Sequence, residues 1–160
     1  MSDDAIAPAV REIAGVAGLR QLAGQHVALS CWFEITQQRI DTFADATEDH
    51  QWIHVDAERS ARESPFGGTV AHGFLTLSLL PAMLGSALHL AGIRMAVNYG
   101  LNKVRFPAPV PVGSRLRARL DIVAVDDAPA GAQVTWAVTV EREGDSKPVC
   151  VAEFLMRCYP

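Results

Sequence analysis

The strongest constraint on the fold is an uncharged stretch, residues 64 to 93, which contains no Asp, Glu, Lys or Arg. Between Gly73 and about Leu90 apolar side chains fall on nearly every face of a helix, and a helix tolerates that pattern only when it is surrounded. The stretch also contains Ser, Thr, Pro81, several Gly and two His, so its unbroken apolar length is too short for a membrane span. We therefore predict a long central helix buried in a protein core, without a membrane span and bent at Pro81.

The chain after Gly92 has the composition of β-strands. Four segments rich in β-branched and aromatic residues are separated by turn residues, and they cover residues 95–106, 114–125, 133–143 and 148–159. No helical pattern stands between them, which argues against a parallel, doubly wound sheet. With a further strand predicted over residues 26–35, we expect an α+β fold in which a curved, mostly antiparallel sheet wraps around the central helix.

Three shorter helices are predicted before the uncharged stretch. Apolar residues at helical spacing indicate a helix over residues 4 to 23, which makes an N-terminal helical extension of about residues 1–24. Thr36 and Asp56 are N-cap residues, the first for a helix leading to the segment around residue 48 and the second for a short helix over residues 57–63. At 160 residues, a single domain is expected.

Composition and charge exclude several classes of partner. The chain has 14 Lys and Arg against 18 Asp and Glu, a formal net charge of −4, and no basic clusters, so nucleic acid is not an expected partner. Cys31, Cys150 and Cys158 follow no metal-ligand spacing, which indicates reduced thiols in a cytoplasmic protein. The N-terminus starts with two acids where a signal peptide carries positive charge.

A polar loop before the uncharged stretch is the candidate functional site. Asp49 and His54 lie five residues apart, and apolar residues interleaved with them anchor the loop to the core. An acid and an imidazole together can carry protons in both directions. His72 and Gly73 then open the apolar run, where unpaired N–H groups at a helix start can stabilise a developing anion.

Other interpretations of these residues remain open. The loop can be a solvated turn without function, or a metal site built from His50, His54, Asp49 and His72, although no HExxH-type signature is present. Ser78 either bonds its own backbone four residues back or points out of the helix to hold Asp49. A nucleophilic triad, a phosphate loop and a dinucleotide fingerprint find no support in the sequence.

The same residues are similar to a known family. The segments ATEDHQWIH (46–54), AHGFLTLS (71–78) and NYGLNKVRFPAPVPVG (98–113) resemble the MaoC-like, (R)-specific enoyl-CoA hydratases, and most closely their nodulation-protein-N-like branch. The likeness runs from about residue 36 to the end of the chain. It implies a hot dog fold, a homodimer, and reversible addition of water to trans-2-enoyl-CoA to give (R)-3-hydroxyacyl-CoA in fatty acyl metabolism. It implies no metal and no redox cofactor, CoA being part of the substrate.

The resemblance also implies catalytic roles. Asp49 and His54 are the catalytic pair around one water molecule, and Ser78 supports Asp49. The Gly73 N–H donates to the thioester carbonyl. Gln51, which stands where the commonest family pattern has Asn, is expected to hold the water through its amide.

The sequence departs from the commonest family pattern, [ST]-G-D-x-N-P-[LIV]-H, at two places. Glu48 replaces the Gly and adds a carboxylate beside Asp49. Gln51 and Trp52 replace Asn and Pro, a variant at home in the nodulation-protein-N-like branch. The Gln51-Trp52 variant bears on substrate range more than on activity.

Substrate-binding residues are predicted on both sides of the loop. Phe66 and Phe74, with apolar residues of the central helix, are expected to line the acyl tunnel, and His72 to border the substrate. Lys103 and Arg105, together with Arg115, are candidates for pairing with CoA phosphates; the alternative is a solvated strand face.

Two other functions remain compatible with the sequence. A hot dog acyl-CoA thioesterase would use a carboxylate to activate water at the thioester carbon and would not need His54. A non-catalytic acyl-thioester-binding subunit would be favoured if Asp49 or His54 were buried in a salt bridge that solvent cannot reach.

Overall fold

The computed structural model of the protein describes residues 9 to 160. The helices are α1 (Gly15–Gln21), α2 (Gln37–Thr47), α3 (Trp52–Val55), α4 (Ala57–Glu63), α5 (Gly73–Ser78) and α6 (Leu80–Ala87). The strands are β1 (Arg11–Ala14), β2 (His26–Leu29), β3 (Phe33–Glu34), β4 (Leu88–Ala91), β5 (Met95–Arg105), β6 (Arg115–Ala128), β7 (Gly131–Arg142) and β8 (Cys150–Tyr159).

A six-stranded antiparallel sheet forms the body of the protein. Its order is β2-β6-β7-β8-β5, and β3 also pairs with β6. The four strands predicted after Gly92 are confirmed as β5 to β8, each bound within three residues of its predicted position. The predicted strand over residues 26–35 is divided into β2 and β3, with residues 30–32 between them.

One face of this sheet packs against α5 and α6. In β6, the side chains alternate between buried Leu116, Ala118 and Leu120 and the outward arginines between them. The buried residues of β6, β7 and β8 form one cluster with those of α5 and α6, among them Leu75 and Met83. The predicted arrangement, an antiparallel sheet around a central helical segment, is therefore confirmed.

The predicted central helix is interrupted at Leu79, two residues before Pro81, and it ends at Ala87, so the predicted end near Leu90 is wrong. α5 ends at Ser78, and Pro81 stands in the first turn of α6, where its missing N–H disrupts no helical hydrogen bond. Residues Leu88–Ala91, which the apolar run placed in the helix, form β4, because a short apolar run fits a buried strand equally well. No helix in residues 9–160 has the length and apolar character that crossing a membrane requires.

The N-terminal region is also only partly helical. Residues 1–8 of the predicted extension lie outside the described residues. Arg11–Ala14 form β1, which pairs in parallel with β4, and only Gly15–Gln21 are helical. Gly15 has φ +60°, which turns the chain sharply from β1 into α1. Ile13 and Leu19 are buried in the main core, so this region packs as part of it.

Candidate active site

Helix α2 carries the chain to the predicted site. Thr36 caps it as predicted, since its side chain accepts a hydrogen bond from the Arg39 N–H at 3.1 Å. The helix ends at Thr47, and Glu48 then adopts left-handed backbone angles, φ 62° and ψ 18°. The family pattern places Gly at this position, and the positive φ gives the physical reason. Glu48 begins the segment that we call the site loop, residues 48–56.

His54 lies in the short helix α3 and is 7% exposed. Its Nδ1 lies 2.6 Å from the Val70 carbonyl oxygen, which can only accept, so Nδ1 carries the hydrogen and Nε2 is the free acceptor of the neutral ring. Burial lowers the pKa of His54, and the neighbouring His72 lowers it further, against the opposing effects of the Val70 carbonyl and Asp49. The neutral imidazole, with Nε2 available as a base, is therefore favoured.

His72 lies directly against His54 and is 3% exposed. The two imidazole rings stack with centroids 3.7 Å apart and planes 24° apart, and the Phe43 ring lies 4.9 Å from His72. His72 Nε2 donates to the Asp49 backbone carbonyl at 2.9 Å. Its Nδ1 is buried and has no hydrogen-bond partner among the described residues. His72 thus connects the backbone of Asp49 to the ring of His54.

Asp49 supplies the exposed part of the cluster, since 52% of its side chain is accessible. Its Oδ1 accepts from the Gln51 N–H at 3.4 Å, and its Oδ2 lies 4.0 Å from His72 Nε2. One atom each of Asp49, His54 and His72 lie within 4.8 Å of one another. The Asp49 carboxylate is open to solvent, so the condition that would have favoured a non-catalytic binding subunit is not met for Asp49.

These three side chains are of the types that bind zinc. A metal-bound imidazole directs its in-plane lone pair at the ion, whereas the stacked rings of His54 and His72 are nearly parallel. Two of the ring nitrogens are already engaged by backbone carbonyls, His54 Nδ1 by Val70 and His72 Nε2 by Asp49.

Gly73 begins α5 immediately after His72. A Cβ atom at this position would come within 2.8 Å of Phe106 Cδ2, so the close packing of the Phe106 ring requires glycine. As the first residue of a helix, Gly73 has an N–H that no carbonyl of the same helix accepts. This N–H is a donor next to the histidine pair.

The structure does not bring Ser78 to Asp49 by a hydrogen bond among the described residues. The Ser78 hydroxyl donates to the Phe74 carbonyl at 2.7 Å, four residues back in the same helix. Ser78 also lines a cavity of about 370 Å³ whose other walls come from α5, α6, β5 and β8, among them Leu77, Pro81, Tyr99 and Phe154.

The predicted aromatic residues lie near Gly73. Phe66, Gly73 and Phe106 line a cavity of about 280 Å³ with neighbouring apolar residues. Phe74 is 67% exposed and meets Phe106 edge to face, with ring centroids 6.1 Å apart. These rings form an apolar surface beside the first turn of α5.

Lys103 and Arg105 lie on β5 and are exposed. Neither forms an ion pair with a described residue, whereas Arg115 pairs with Glu143 at 2.8 Å. Gln51 is exposed and contributes its backbone N–H to Asp49. Of the predicted cations, Lys103 and Arg105 remain available to an anionic ligand.

Sequence reasoning missed Gln37, the first residue of α2. Its Nε2 donates to the backbone carbonyl of His54 at 2.8 Å, and its Oε1 accepts from Thr69. No local pattern distinguishes it from the adjacent, exposed Gln38, because the contact depends on how the site loop folds back over α2.

Comparisons with known proteins find a family model and several relatives that match this chain. The model of the MaoC like domain matches residues 19–143. The 3-hydroxyacyl-thioester dehydratase Z of Mycobacterium tuberculosis (strain H37Rv) is 54% identical over 149 residues, which cover 92% of this chain and 98% of the relative. Nodulation protein N of Rhizobium leguminosarum bv. viciae is 49% identical over 134 residues, covering 82% of this chain and 83% of the relative.

Solved structures show the same fold. The R-hydratase PhaJ1 from Pseudomonas aeruginosa, in its unliganded form, matches with a TM-score of 0.72 and 25% identity over 91% of this chain and 85% of that one. The (R)-hydratase from A. caviae involved in PHA biosynthesis matches with a TM-score of 0.69 and 20% identity, over 86% of this chain and 96% of that one. At that identity, the second likeness speaks for the fold alone.

Proposed function

The chain belongs to the MaoC-like dehydratase family, lyases of hot dog fold, and we propose that it hydrates trans-2-enoyl-CoA reversibly to (R)-3-hydroxyacyl-CoA. The observation that carries the proposal is the cluster of a half-exposed Asp49, a buried His54 and His72 at the start of α5. The R-hydratase PhaJ1, at 25% identity, supports the stereochemistry. We place the reaction in the cytoplasm and in fatty acyl metabolism.

Proton transfer follows from the hydrogen bonds of His54. Because Nδ1 donates to the Val70 carbonyl, Nε2 is the atom that takes a proton from water as the water oxygen bonds to C3. Asp49 accepts a hydrogen bond from the same water and orients it. The proton taken up by His54 Nε2 is then delivered to C2 on the same face, so one H and one OH are added and no proton is gained or lost overall.

The negative charge that develops on the thioester oxygen needs fixed donors. We propose the Gly73 N–H for this role, because it is free of intrahelical bonding and lies next to His72. Removing one such donor typically lowers the rate by roughly 100- to 1000-fold. The reaction uses no metal and no redox cofactor, and CoA enters as part of the substrate.

The remaining site residues hold the water and the substrate. The Gln51 amide holds the attacking water, and Ser78 supports Asp49. Phe66, Phe74 and His72 border the acyl group. Lys103 and Arg105 pair with the CoA phosphates, supported by their exposure on β5 without a described ion-pair partner.

A second copy of the chain is the proposed partner. Among the described strands, β5 pairs only with β8, so its other edge has free N–H and C=O groups. This edge strand also exposes large apolar side chains, namely Met95, Val97, Tyr99 and Leu101. Edge strands of this kind are normally covered in native proteins, and pairing with the same strand of a second copy covers both.

The test is the loss of enoyl-thioester ultraviolet absorbance when purified protein is mixed with crotonyl-CoA, with chiral analysis of the product. Fast loss that yields (R)-3-hydroxybutyryl-CoA is the expected result. Persisting absorbance with release of free thiol would identify a thioesterase instead. If neither signal changes with crotonyl-CoA or with longer enoyl-CoA esters, the proposal is wrong and the binding-subunit alternative is favoured.

A further inference from the structure

The side-chain amide of Gln37 connects three segments of the chain. Its Nε2 donates to the His54 backbone carbonyl at 2.8 Å and to Asp41 Oδ1 at 2.8 Å, and its Oε1 accepts from the Thr69 hydroxyl at 2.6 Å. A backbone carbonyl only accepts and the amide has two N–H donors, so these contacts agree with one amide orientation. The bond to Asp41, one helical turn on, fixes that orientation from within α2.

The same amide also acts on the group that fixes the His54 ring. Thr69 is 3% exposed, so its hydroxyl depends on Gln37 for a buried acceptor. The next residue, Val70, accepts from His54 Nδ1 at 2.6 Å and donates its N–H to the Ile53 carbonyl at 3.0 Å. Gln37 thus holds the backbone of His54 on one side and the segment that accepts from its ring on the other.

We propose that Gln37 is a positioning residue for His54: it fixes the backbone and ring together so that Nε2 faces the water. This inference rests on the proposed hydration reaction, and it goes beyond it by assigning a role to a residue that is half-buried and touches neither Asp49 nor any residue proposed to line the substrate. An amide is required because the position needs a donor for His54 and an acceptor for Thr69 at once. Catalytic geometry is sensitive to such supports, since a displacement of about 1 Å can lower a rate roughly 100-fold.

The experiment compares Gln37→Met with Gln38→Met in the full-length protein. Both substitutions place a side chain of similar length in α2, but Gln38 is exposed and its side chain makes no described hydrogen bond to the site loop. For Gln37→Met we expect kcat with crotonyl-CoA to fall by about 10- to 100-fold while KM changes less than about threefold. Gln38→Met should match the wild type in both constants.

Histidine NMR without substrate gives a readout that does not depend on the reaction. In the wild type and in Gln38→Met, His54 should show the Nδ1–H tautomer as its dominant neutral form. In Gln37→Met, its ring signals should broaden or shift toward mixed tautomers. If the wild type lacks hydratase activity, the proposed function fails while the NMR comparison still tests the positioning role.

Two results would overturn the inference: unchanged kcat and unchanged His54 signals in folded Gln37→Met, or a raised KM with unchanged kcat, which would mean a substrate contact. Should Gln37→Met fail to fold, Gln37→Glu takes its place. It keeps the size of the side chain and the acceptor for Thr69 but loses the donor to His54. Wild-type kcat in Gln37→Glu would contradict the donor role directly.

Discussion

The site loop and strand β5 differ in how many of their hydrogen-bonding groups and apolar side chains have partners within one chain. In the site loop, the His54 ring bonds to Val70, the Asp49 carbonyl accepts from His72, and the His54 carbonyl accepts from Gln37. In β5, one strand edge has no described partner and large apolar side chains face solvent. The polar site is thus largely closed within the chain, whereas the apolar surface at β5 is left open.

The difference indicates that the residues proposed to transfer protons and the surface proposed to enclose the substrate are stabilised in different ways. The atoms proposed to move protons are held by bonds that do not need a second molecule. Strand β5, in contrast, carries Lys103 and Arg105, the proposed partners of the CoA phosphates, together with Tyr99 and Leu101, which are 56% and 42% exposed. We therefore expect the acid–base pair to form in a single chain and the substrate enclosure to depend on the partner.

Asp49→Asn tests the first half of this comparison and should have the largest effect. Asp49 orients the attacking water in the proposed mechanism, and a displacement of about 1 Å can lower a rate roughly 100-fold, so turnover of crotonyl-CoA should fall by about 100-fold or more. Because the backbone carbonyl that accepts from His72 is retained, the melting temperature and the oligomeric state should not change. Asp126→Asn, an exposed acid on β6 without a described ion pair, is the matched control. Wild-type turnover in folded Asp49→Asn would remove Asp49 from the mechanism.

Val97→Glu tests the second half. In one chain the new carboxylate stands opposite Arg157 on β8, so the monomer should tolerate it. In a dimer it places equal charges near each other at a desolvated edge, which should weaken association by about 100-fold or more. Light scattering coupled to gel filtration measures the dissociation, and turnover should fall with dilution. Val123→Glu on β6 is the control, because Val123 is also exposed but lies three strands away. An unchanged dimer would show that β5 is not the interface.

Local patterns accounted for much of the fold and for the core of the site. The strands β5 to β8 and the caps Thr36 and Asp56 each depend on neighbouring residues, so their periodicity or capping chemistry is visible in the sequence. The Asp49 and His54 loop followed from residue types at a fixed spacing and from the family resemblance. The structure brings both into one cluster with His72.

Long-range pairing accounts for what the sequence could not show. The parallel pairing of β1 with β4 joins Arg11 to Leu88, and nothing local to either strand indicates its partner. The stacking of His72 on His54 and the contact of Gln37 with the His54 carbonyl likewise arise when distant segments meet. Pro81 signalled the interruption of the central helix, whereas its end at Ala87 was hidden because an entirely apolar pattern has no period that marks the change from helix to strand.

The pH dependence of kcat/KM tests whether the site loop keeps the His54 ring buried and neutral. Burial lowers its pKa below the ordinary value of 6.5, and the neutral ring is the base in the proposed hydration. The acidic limb of kcat/KM, which falls about tenfold per pH unit, should therefore have its midpoint below 6.5. A midpoint at or above 6.5 would contradict a buried, neutral base.

The same shift predicts how stability depends on pH. As pH falls through 6.5, the unfolded chain binds a proton at His54 before the folded chain does, so the folded state loses stability. The free energy of unfolding of the wild type should therefore fall relative to His54→Gln below pH 6.5 and run parallel to it above. The pKa of His50 is raised by its hydrogen bond to Asp45, an opposite effect that is present in both proteins and cancels.

Glu48→Gly should have the smallest effect, and it asks what holds the site loop in place. A left-handed conformation costs a non-glycine residue roughly 1–2 kcal/mol, part of which the greater freedom of unfolded glycine offsets. We expect a net stabilisation of about 1 kcal/mol, or roughly 2–4 °C in melting temperature. Glu58→Gly, within helix α4, is the control and should destabilise by about 0.5–1 kcal/mol.

If the bonds from Gln37, Val70 and His72 fix the loop, turnover in Glu48→Gly should stay within about twofold of the wild type, since those contacts lie beyond the substituted residue. A large loss of turnover in the stabilised variant would mean that the turn at Glu48, rather than those bonds, sets the position of Asp49.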